Sequence, residues 1–245
     1  MHDKLLIWDC KAPPPPPDQD KVILWQSFVV SDNRTEFSIP KLVEDNSDKY
    51  RAKYLALIYD LGVKDLTSGS GVSVIRKAKA IGFNLVFFDP YRDRGYEKML
   101  GVDRVDTLDE LLKISDVVSI NTPLTNETRG MVDADFISKM KYGSFLINTA
   151  RGEILANIDD FLEPIKSGKI SGLALDVLPE EPPKNSGLIA SWKSREKWLD
   201  GKVIINPHTS YYTEDSYAEM RKKASENAKR IIEGKVPFNI ISSKE

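Results

Sequence analysis

The sequence predicts an α/β protein built on a doubly wound parallel sheet that is incomplete at its first strand. From Gly71 onward, short apolar runs of strand type alternate with segments of helical periodicity. Polar residues suited to chemistry follow these runs one after another. This alternation is typical of a parallel sheet with helices on both faces, and such sheets bind ligands at the carboxyl ends of their strands.

The predicted elements follow in a regular order. A helix at 72–81 precedes the strand NLVFFDP, and further strands are predicted from DVVSIN, SFLINTA, GLALDV and KVIINP. Helices are predicted from TLDELLKI, ADFISKM and ANIDDFLEPIKSGK. A polar, proline-bearing loop separates the last two strands. The final helix covers Glu214–Glu233 and ends at Gly234.

The start of the chain is predicted to be an atypical N-terminal segment, residues 1–65. Two short apolar runs flank Pro13–Pro17, and consecutive prolines form an extended spacer that joins neither a helix nor a sheet. Apolar residues then recur mostly every three or four positions, which favours a helix at Asp48–Leu61. A strand at Tyr54–Leu61 is the alternative.

This choice decides whether the sheet is complete. A helix at Asp48–Leu61 would leave the central strand position of the sheet to another segment, or would open the sheet. Unpaired buried backbone groups cost ~1–3 kcal/mol each, so the position cannot stay empty. The runs LLIW and VILWQSF are the other candidates for it.

The overall composition excludes several classes of protein. The chain has 245 residues, 41% of them hydrophobic and 29% charged, and a formal net charge of -2, so charge alone would not bind it to nucleic acid or an anionic membrane. No apolar run approaches the ~18 residues of a spanning helix, and the N-terminus lacks the features of a signal peptide. The single cysteine, Cys10, excludes an internal disulfide, so we expect a reducing, cytoplasmic location.

Three side chains near strand ends suit acid–base chemistry on a carboxylate substrate. His208 follows Asn206-Pro207, and imidazole exchanges protons near neutral pH. A loop histidine more often only binds a carbonyl, but Arg151 follows small residues in NTARG, from which its guanidinium could hold a carboxylate with two hydrogen bonds. Glu181 would stabilise a protonated His208. A surface ion pair and a solvated loop acid are the alternatives for Arg151 and Glu181.

From Gly71 to Pro237 the sequence resembles the cofactor domain of the D-isomer specific 2-hydroxyacid dehydrogenases. Within that family it is most similar to the C-terminal binding protein corepressors and the glyoxylate/hydroxypyruvate reductases. The resemblance is carried, in the family's order, by RKAKAIGFNLVFFDPY, SDVVSINTPLTNETRGMVD, FLINTARGEIL, GLALDVLPEEPP and NPHTSYYTEDSYAEMR. It implies a Rossmann-like dinucleotide-binding domain at 66–237, followed by a tail at 238–245.

The resemblance also implies a reaction, reversible hydride transfer between NAD(H) and a small 2-oxo acid. Arg151 would bind the acid, His208 would donate or accept the proton, and Glu181 would tune His208. Asp89 would hold the adenosine ribose, which favours NAD over NADP. The other implied cofactor-site residues are Gly69, Gly71, Thr122, Thr149, Ala150, Asp176 at the nicotinamide amide and Tyr211 near the substrate. No metal is implied, and relatives pair as homodimers through the cofactor domain.

The sequence departs from the family in two places. The family begins with a substrate domain that has no counterpart in residues 1–70, so we expect impaired catalysis. Of the three glycines in G-x-G-x-x-G only Gly71 is present, with Leu66 and Ser68 at the other positions, and a GSG sequence is also typical of a flexible connector. Residues 1–65 are themselves similar to the opening of a bacterial surface-carbohydrate biosynthesis protein family.

Three functions are compatible with these observations. The first is an NAD-dependent 2-hydroxyacid dehydrogenase, which the joint presence of Arg151, Glu181 and His208 favours. The second is a non-catalytic NAD-binding or interaction protein. The third is a relic of recombination that folds but binds nothing specific.

Overall fold

The chain folds around one parallel sheet. The structure, a computed structural model, describes residues 55–58, 70–185, 187–238 and 240. The strands are β1 Leu55–Ile58, β2 Leu85–Phe88, β3 Asp103–Arg104, β4 Val117–Ile120, β5 Ser144–Asn148, β6 Ile170–Leu175 and β7 Val203–Ile205. The α-helices are α1 Ser70–Ala80, α2 Tyr96–Leu100, α3 Leu108–Ile114, α4 Ala134–Lys139, α5 Leu162–Ser167, α6 Gly187–Lys193 and α7 Glu214–Ile232, with short 3₁₀ turns at Gly152–Ile154, Ile158–Phe161 and Lys197–Leu199.

The strand order is β3-β2-β1-β4-β5-β6-β7, and all neighbouring pairs are parallel. The order reverses between β1 and β4. In a doubly wound sheet this reversal opens a crevice at the carboxyl ends of the strands, where ligands bind. The predicted fold class is confirmed.

The predicted gap at the first strand is wrong. Leu55–Ile58 pair in parallel with β2 on one side and with β4 on the other. The helix predicted at Asp48–Leu61 is therefore wrong over these four residues, where the alternative strand at Tyr54–Leu61 is confirmed. A short apolar run such as LALI fits a helix as well as a central parallel strand, and only the neighbouring strands decide between them.

β1 also bears on the predicted division of the chain. It precedes residue 66, so the sheet takes its central strand from the stretch that the sequence assigns to the N-terminal segment. Pairing on both sides satisfies the backbone N–H and C=O groups that an empty position would leave buried and unpaired. The proline spacer at Pro13–Pro17 and the runs LLIW and VILWQSF lie outside the described residues.

Local sequence explains most helix boundaries. Thr107 and Glu110 form a capping box at the start of α3, with the Thr107 side chain accepting from the Glu110 N–H at 3.2 Å. Asp133 caps α4. The helix predicted from ANIDDFLEPIKSGK is divided into a 3₁₀ turn and α5, and Pro164 lies in the first turn of α5, where its missing N–H needs no partner.

Apolar residues of the strands and helices form two buried clusters. The larger one contains Leu111, Ile137, Leu146 and Phe161, which are fully or almost fully buried. The smaller cluster lies under α1 and the starts of β2 and β4. In contrast, none of the residues of α7 is buried. Among the described residues, no helix combines the length and the apolar character that crossing a membrane requires.

Candidate active site

The candidate functional residues lie along one edge of the sheet, because the carboxyl ends of parallel strands meet there. Asp89 and Asp176 directly follow β2 and β6, and residues 149–151 directly follow β5. His208 comes shortly after β7, and Glu181 lies in the loop after β6. This is the edge at which the sequence places them.

Glu181 and His208 form a hydrogen-bonded pair. Nδ1 of His208 lies 2.8 Å from Oε2 of Glu181. The other carboxylate oxygen, Oε1, accepts a hydrogen bond of 2.8 Å from the backbone N–H of Leu178. The two side chains are 41% and 38% exposed, so the imidazole is braced on one side and open to solvent on the other.

The surroundings of Glu181 keep it ionised. Burial acts to raise the pKa of the Glu181 carboxyl, but the hydrogen bonds from His208 and from Leu178 N–H and the charges of His208 and Arg151 outweigh it, so that pKa lies below its usual value. An ionised carboxylate can only accept, so Nδ1 of His208 carries the proton and Nε2 is left as the nitrogen that can exchange one. The charge of Arg151 is the smallest of these influences on the Glu181 pKa.

Arg151 is presented by a turn that Asn148 shapes. Asn148, at the end of β5, is fully buried. Its Nδ2 donates to the Arg151 carbonyl at 2.9 Å, and its Oδ1 accepts from the Ala150 N–H at 3.0 Å. The exposed guanidinium makes a 2.7 Å hydrogen bond to the Ala150 carbonyl. The backbone below Arg151 is therefore fixed while its fork points to solvent at the sheet edge.

His208 has an unusual backbone that Asp176 stabilises. Its φ of 54° lies in the left-handed region, which is unfavourable for a residue other than glycine. The His208 N–H donates to the Asp176 carbonyl at 2.8 Å. The Asp176 carboxylate, 4% exposed, accepts from the N–H groups of Thr209 at 2.9 Å and of Ser210 at 3.0 Å. Asp176 thus holds the turn that carries the imidazole, and its predicted contact with the nicotinamide amide stays a prediction.

Tyr211 borders the open side of His208. The two rings meet edge to face with centroids 5.9 Å apart. Tyr211 is half exposed, so one face of its ring is available beside the imidazole. Its predicted place near the substrate stays a prediction.

Asp89 lies at the opposite end of the carboxyl edge and is buried. Its Oδ1 accepts from the Tyr91 N–H at 2.9 Å, and its Oδ2 lies 3.5 Å from Nε of Arg92. It lines a largely apolar cleft together with Gly71 and Asn121. A buried carboxylate beside a cleft and the start of a helix fits the ribose of a dinucleotide.

The remaining predicted residues lie between these two ends or outside the described chain. Thr122 is buried after β4, and its hydroxyl donates to the Pro123 carbonyl at 3.3 Å. Thr149 is exposed and Ala150 half-buried. Gly71 is buried in the first turn of α1, whereas Gly69 lies outside the described residues.

Two residues of the site have no role in the sequence prediction. Asn148 shapes the Arg151 turn, and Leu178 supplies the N–H that orients Glu181. The asparagine at a strand end in NTARG is a signal for the first, since asparagine side chains commonly bond nearby backbone. The second has no sequence signal, because the donor is a backbone group.

Metal chemistry has no site in the part of the chain that the structure describes. There, no group of three or more His, Cys, Asp or Glu side chains is arranged to hold a metal ion.

Comparison with known proteins agrees with this geometry. Residues 67–210, more than half of the chain, match the family model of the D-isomer specific 2-hydroxyacid dehydrogenase NAD-binding domain. The chain is 34% identical over 174 residues to a D-3-phosphoglycerate dehydrogenase of Methanocaldococcus jannaschii, which covers 70% of this chain and 31% of that protein. It is 31% identical to C-terminal-binding protein 1 of Caenorhabditis elegans over 69% of this chain and 22% of that protein.

A solved structure shows the same architecture. The NAD-complexed D-isomer specific 2-hydroxyacid dehydrogenase of Lactobacillus delbrueckii ssp. bulgaricus superposes with a TM-score of 0.61 at 27% identity, covering 77% of this chain and 56% of that one. The family and this neighbour confirm the NAD prediction, while the resemblance of residues 1–65 stays a prediction. The chain spans less than a third of the two relatives' length. It belongs, through its NAD-binding domain, to the D-isomer specific 2-hydroxyacid dehydrogenase family.

Proposed function

We propose that this chain transfers hydride between NAD(H) and a small 2-oxo or 2-hydroxy acid. The observation that carries the proposal is the 2.8 Å Glu181–His208 hydrogen bond at the sheet edge where Arg151 follows β5. A guanidinium, an ionised carboxylate and an imidazole in one place are the groups needed to hold a carboxylate substrate and to move one proton.

The three side chains have distinct roles. Arg151 binds the carboxylate of the substrate through its planar fork. Glu181 keeps the proton of the neutral His208 ring on Nδ1, so that Nε2 exchanges the second proton. That second proton goes to the carbonyl oxygen when the 2-oxo acid is reduced and comes from the hydroxyl when the 2-hydroxy acid is oxidised. Bound NAD(H) supplies the hydride acceptor or donor.

The same edge of the sheet suits the dinucleotide. Asp89 would accept hydrogen bonds from the adenosine ribose, and its buried charge would repel the extra phosphate of NADP. We place the nicotinamide end beside Asp176 and Tyr211. The middle of the cofactor site is assigned to Gly71, Thr122, Thr149 and Ala150, with Gly69 in the phosphate loop.

Homodimerisation through the sheet domain and a cytoplasmic location are also part of the proposal. The first is supported by the family resemblance, and the second by the single cysteine, Cys10. Light scattering over a range of protein concentrations measures the mass of the particle. A monomer mass throughout would contradict the dimer.

Turnover of NADH with glyoxylate or hydroxypyruvate tests the function. We expect consumption of NADH by the wild type, and a loss of ~100–10,000-fold in kcat for His208→Gln because the proton donor is removed. NADH affinity, measured by fluorescence titration, should stay within about twofold, since Asp89 is unchanged. Saturable NADH binding with no turnover of any 2-oxo acid would instead identify a non-catalytic NAD-binding protein, and no saturation up to millimolar NADH would identify a chain that binds nothing specific.

A further inference from the structure

Gly152 lies in closer backbone contact with a second loop than any side chain would allow. It opens the 3₁₀ turn directly after Arg151 and is buried. A Cβ added to it would lie 1.9 Å from the carbonyl oxygen of Leu178, 2.0 Å from its carbonyl carbon and 2.6 Å from the nitrogen of Pro179. All three atoms belong to the backbone, so no side-chain rotation relieves the clash. The contact requires glycine because of the space and not because of its dihedral angles.

The contact joins the two loops that carry the candidate catalytic groups. On one side, Gly152 is bonded to Arg151. On the other, the Leu178 carbonyl lies against the space where a Cβ of Gly152 would be, and the Leu178 N–H donates to Oε1 of Glu181, whose Oε2 reaches His208. The loop of Arg151 and the loop of Glu181 therefore meet at the contact between Gly152 and the Leu178 backbone. The separation of the two loops sets the separation of these groups.

Both sides of the contact are anchored in the fold. The Leu178 side chain is 8% exposed and belongs to the main apolar cluster. On the other side, the fully buried Asn148 makes two hydrogen bonds to the backbone around Arg151. A methyl group at position 152 would need to retreat by about 1.5 Å to reach ordinary van der Waals distance from the Leu178 oxygen. That movement pushes the two loops apart, which carries the guanidinium away from Glu181 and disturbs the Leu178 N–H that orients Glu181.

We propose that Gly152 is a positioning residue that fixes Arg151 against the Glu181–His208 pair. The inference rests on the proposed function, because it gives the loop contact a role in binding the 2-oxo acid. A displacement of ~1 Å in a catalytic group can cost ~100-fold in rate. Adding one methyl group at position 152 should therefore lower the reaction rate by more than the loss of folded protein alone would explain.

Gly172 supplies a matched control. It is a buried glycine in β6, and a Cβ there would lie 2.5 Å from a ring carbon of Phe145. Gly172→Ala introduces the same methyl group with a milder clash, against a side chain and not the backbone, at the amino-terminal end of β5 opposite the carboxyl edge. Comparison of the two variants separates crowding in general from crowding between the two loops.

The experiment measures kcat and KM for glyoxylate, NADH affinity and the thermal midpoint in the wild type, Gly152→Ala and Gly172→Ala. We expect both variants to melt earlier. Only Gly152→Ala should raise KM for the 2-oxo acid and lower kcat, together by about 100-fold in kcat/KM, with NADH affinity within about twofold. Equal losses in both variants, or wild-type kcat/KM in Gly152→Ala, would overturn the inference.

A second variant tests the inference if Gly152→Ala folds poorly, and a second measurement tests it if the wild type is inactive. Pro179→Gly loosens the same contact without adding an atom, and should give a smaller loss in the same direction. Nitrogen NMR of the two-histidine chain reports which ring nitrogen of neutral His208 carries the proton. A shift of the proton from Nδ1 to Nε2 in Gly152→Ala but not in Gly172→Ala would support the inference even if the wild type turns over no 2-oxo acid. Absence of turnover in the wild type would refute only the proposed function. An unchanged proton position in both variants overturns it.

Discussion

After β5 and β7 the backbones of Arg151 and His208 are each held by a buried polar side chain, whereas at the end of β2 the candidate ribose acid is itself the buried group. Asn148 holds the backbone of Arg151, and Asp176 holds the backbone of His208. The Asp89 carboxylate instead contacts its own neighbours in sequence, the Tyr91 N–H and the Arg92 guanidinium.

This difference separates the residues proposed for catalysis from the residue proposed for NADH binding. On the β5–β7 side, buried side chains bind the backbone beside Arg151 and His208, so the exposed side chains of these two residues are left to contact a ligand. On the β2 side, the proposed recognition of the ribose would depend on the one buried carboxylate of Asp89. Changes on the two sides should therefore separate cleanly, one affecting turnover and the other affecting NADH affinity.

The largest expected effect comes from Asp176→Ala. It removes the acceptors for the N–H groups of Thr209 and Ser210, so the left-handed conformation at His208 loses its support. Hydrogen bonds to a charged group contribute ~1.5–3 kcal/mol each, and we expect unfolding by denaturant to show a loss of about 3 kcal/mol or more. We also expect kcat to fall ~100-fold.

Asp133→Ala is the control for this prediction. Asp133 also accepts a backbone N–H, at the start of α4, and its loss costs ~0.5–2 kcal/mol without touching the candidate site. Its kcat should equal that of the wild type. A normal kcat in Asp176→Ala would show that the His208 turn does not depend on this carboxylate.

How much of this could be predicted follows from where the information lies in the chain. Asp89, Arg151 and His208 each come directly or shortly after a predicted parallel strand, so the sequence alone could assign them to the same edge of the sheet. β1 could not, because the spacing of its apolar residues fits a helix and its strand form is imposed by β2 and β4 on either side.

The supporting groups escaped prediction for a related reason. Gly152 meets Leu178 only after two loops come together, and no local pattern marks a backbone contact. The family resemblance implies a cofactor contact for Asp176, whereas the hydrogen bonds of its carboxylate go to the turn after His208. Helix α6 lies in a stretch that its polar and proline-rich surroundings mark as a loop.

A smaller effect, on the opposite side of the comparison, is expected from Asp89→Asn. The amide retains an acceptor for the Tyr91 N–H but loses the charge, so the fold should persist while the hydrogen bonds to the ribose weaken. We expect NADH to bind ~10-fold more weakly by calorimetry, which corresponds to about 1.4 kcal/mol. At saturating NADH, kcat should change by less than about twofold.

Asp93→Asn changes an exposed acid in the same loop and should leave NADH affinity unaltered. Unchanged affinity in Asp89→Asn as well would refute the ribose assignment. A fall in kcat for Asp89→Asn as large as that for Asp176→Ala would show that the β2 side and the β5–β7 side of the sheet do not act separately.

The smallest expected effect is on the pH dependence of stability through Glu181. Because the pKa of Glu181 is lower in the folded chain than in the unfolded one, its pair with His208 stabilises the protein above about pH 4.3. This contribution is lost as the pH falls through the lower, folded-state pKa of Glu181. Glu181→Gln should therefore be less stable than the wild type at neutral pH, and the difference should close as the solution is made more acidic than about pH 4.

The size of that difference should be below about 1 kcal/mol, since both side chains of the pair are more than one third exposed and solvent weakens their attraction. Denaturant unfolding of the wild type and Glu181→Gln between about pH 7 and pH 3 measures it. Glu219→Gln is the control, because Lys223 likewise lowers the pKa of Glu219 but on the exposed helix α7. Both variants should converge with the wild type in acid, but only Glu181→Gln should also lose turnover at neutral pH. A stability difference for Glu181→Gln that grows in acid would mean that the carboxylate is not held ionised by its neighbours, and the catalytic side of the sheet would lose the charge that orients His208.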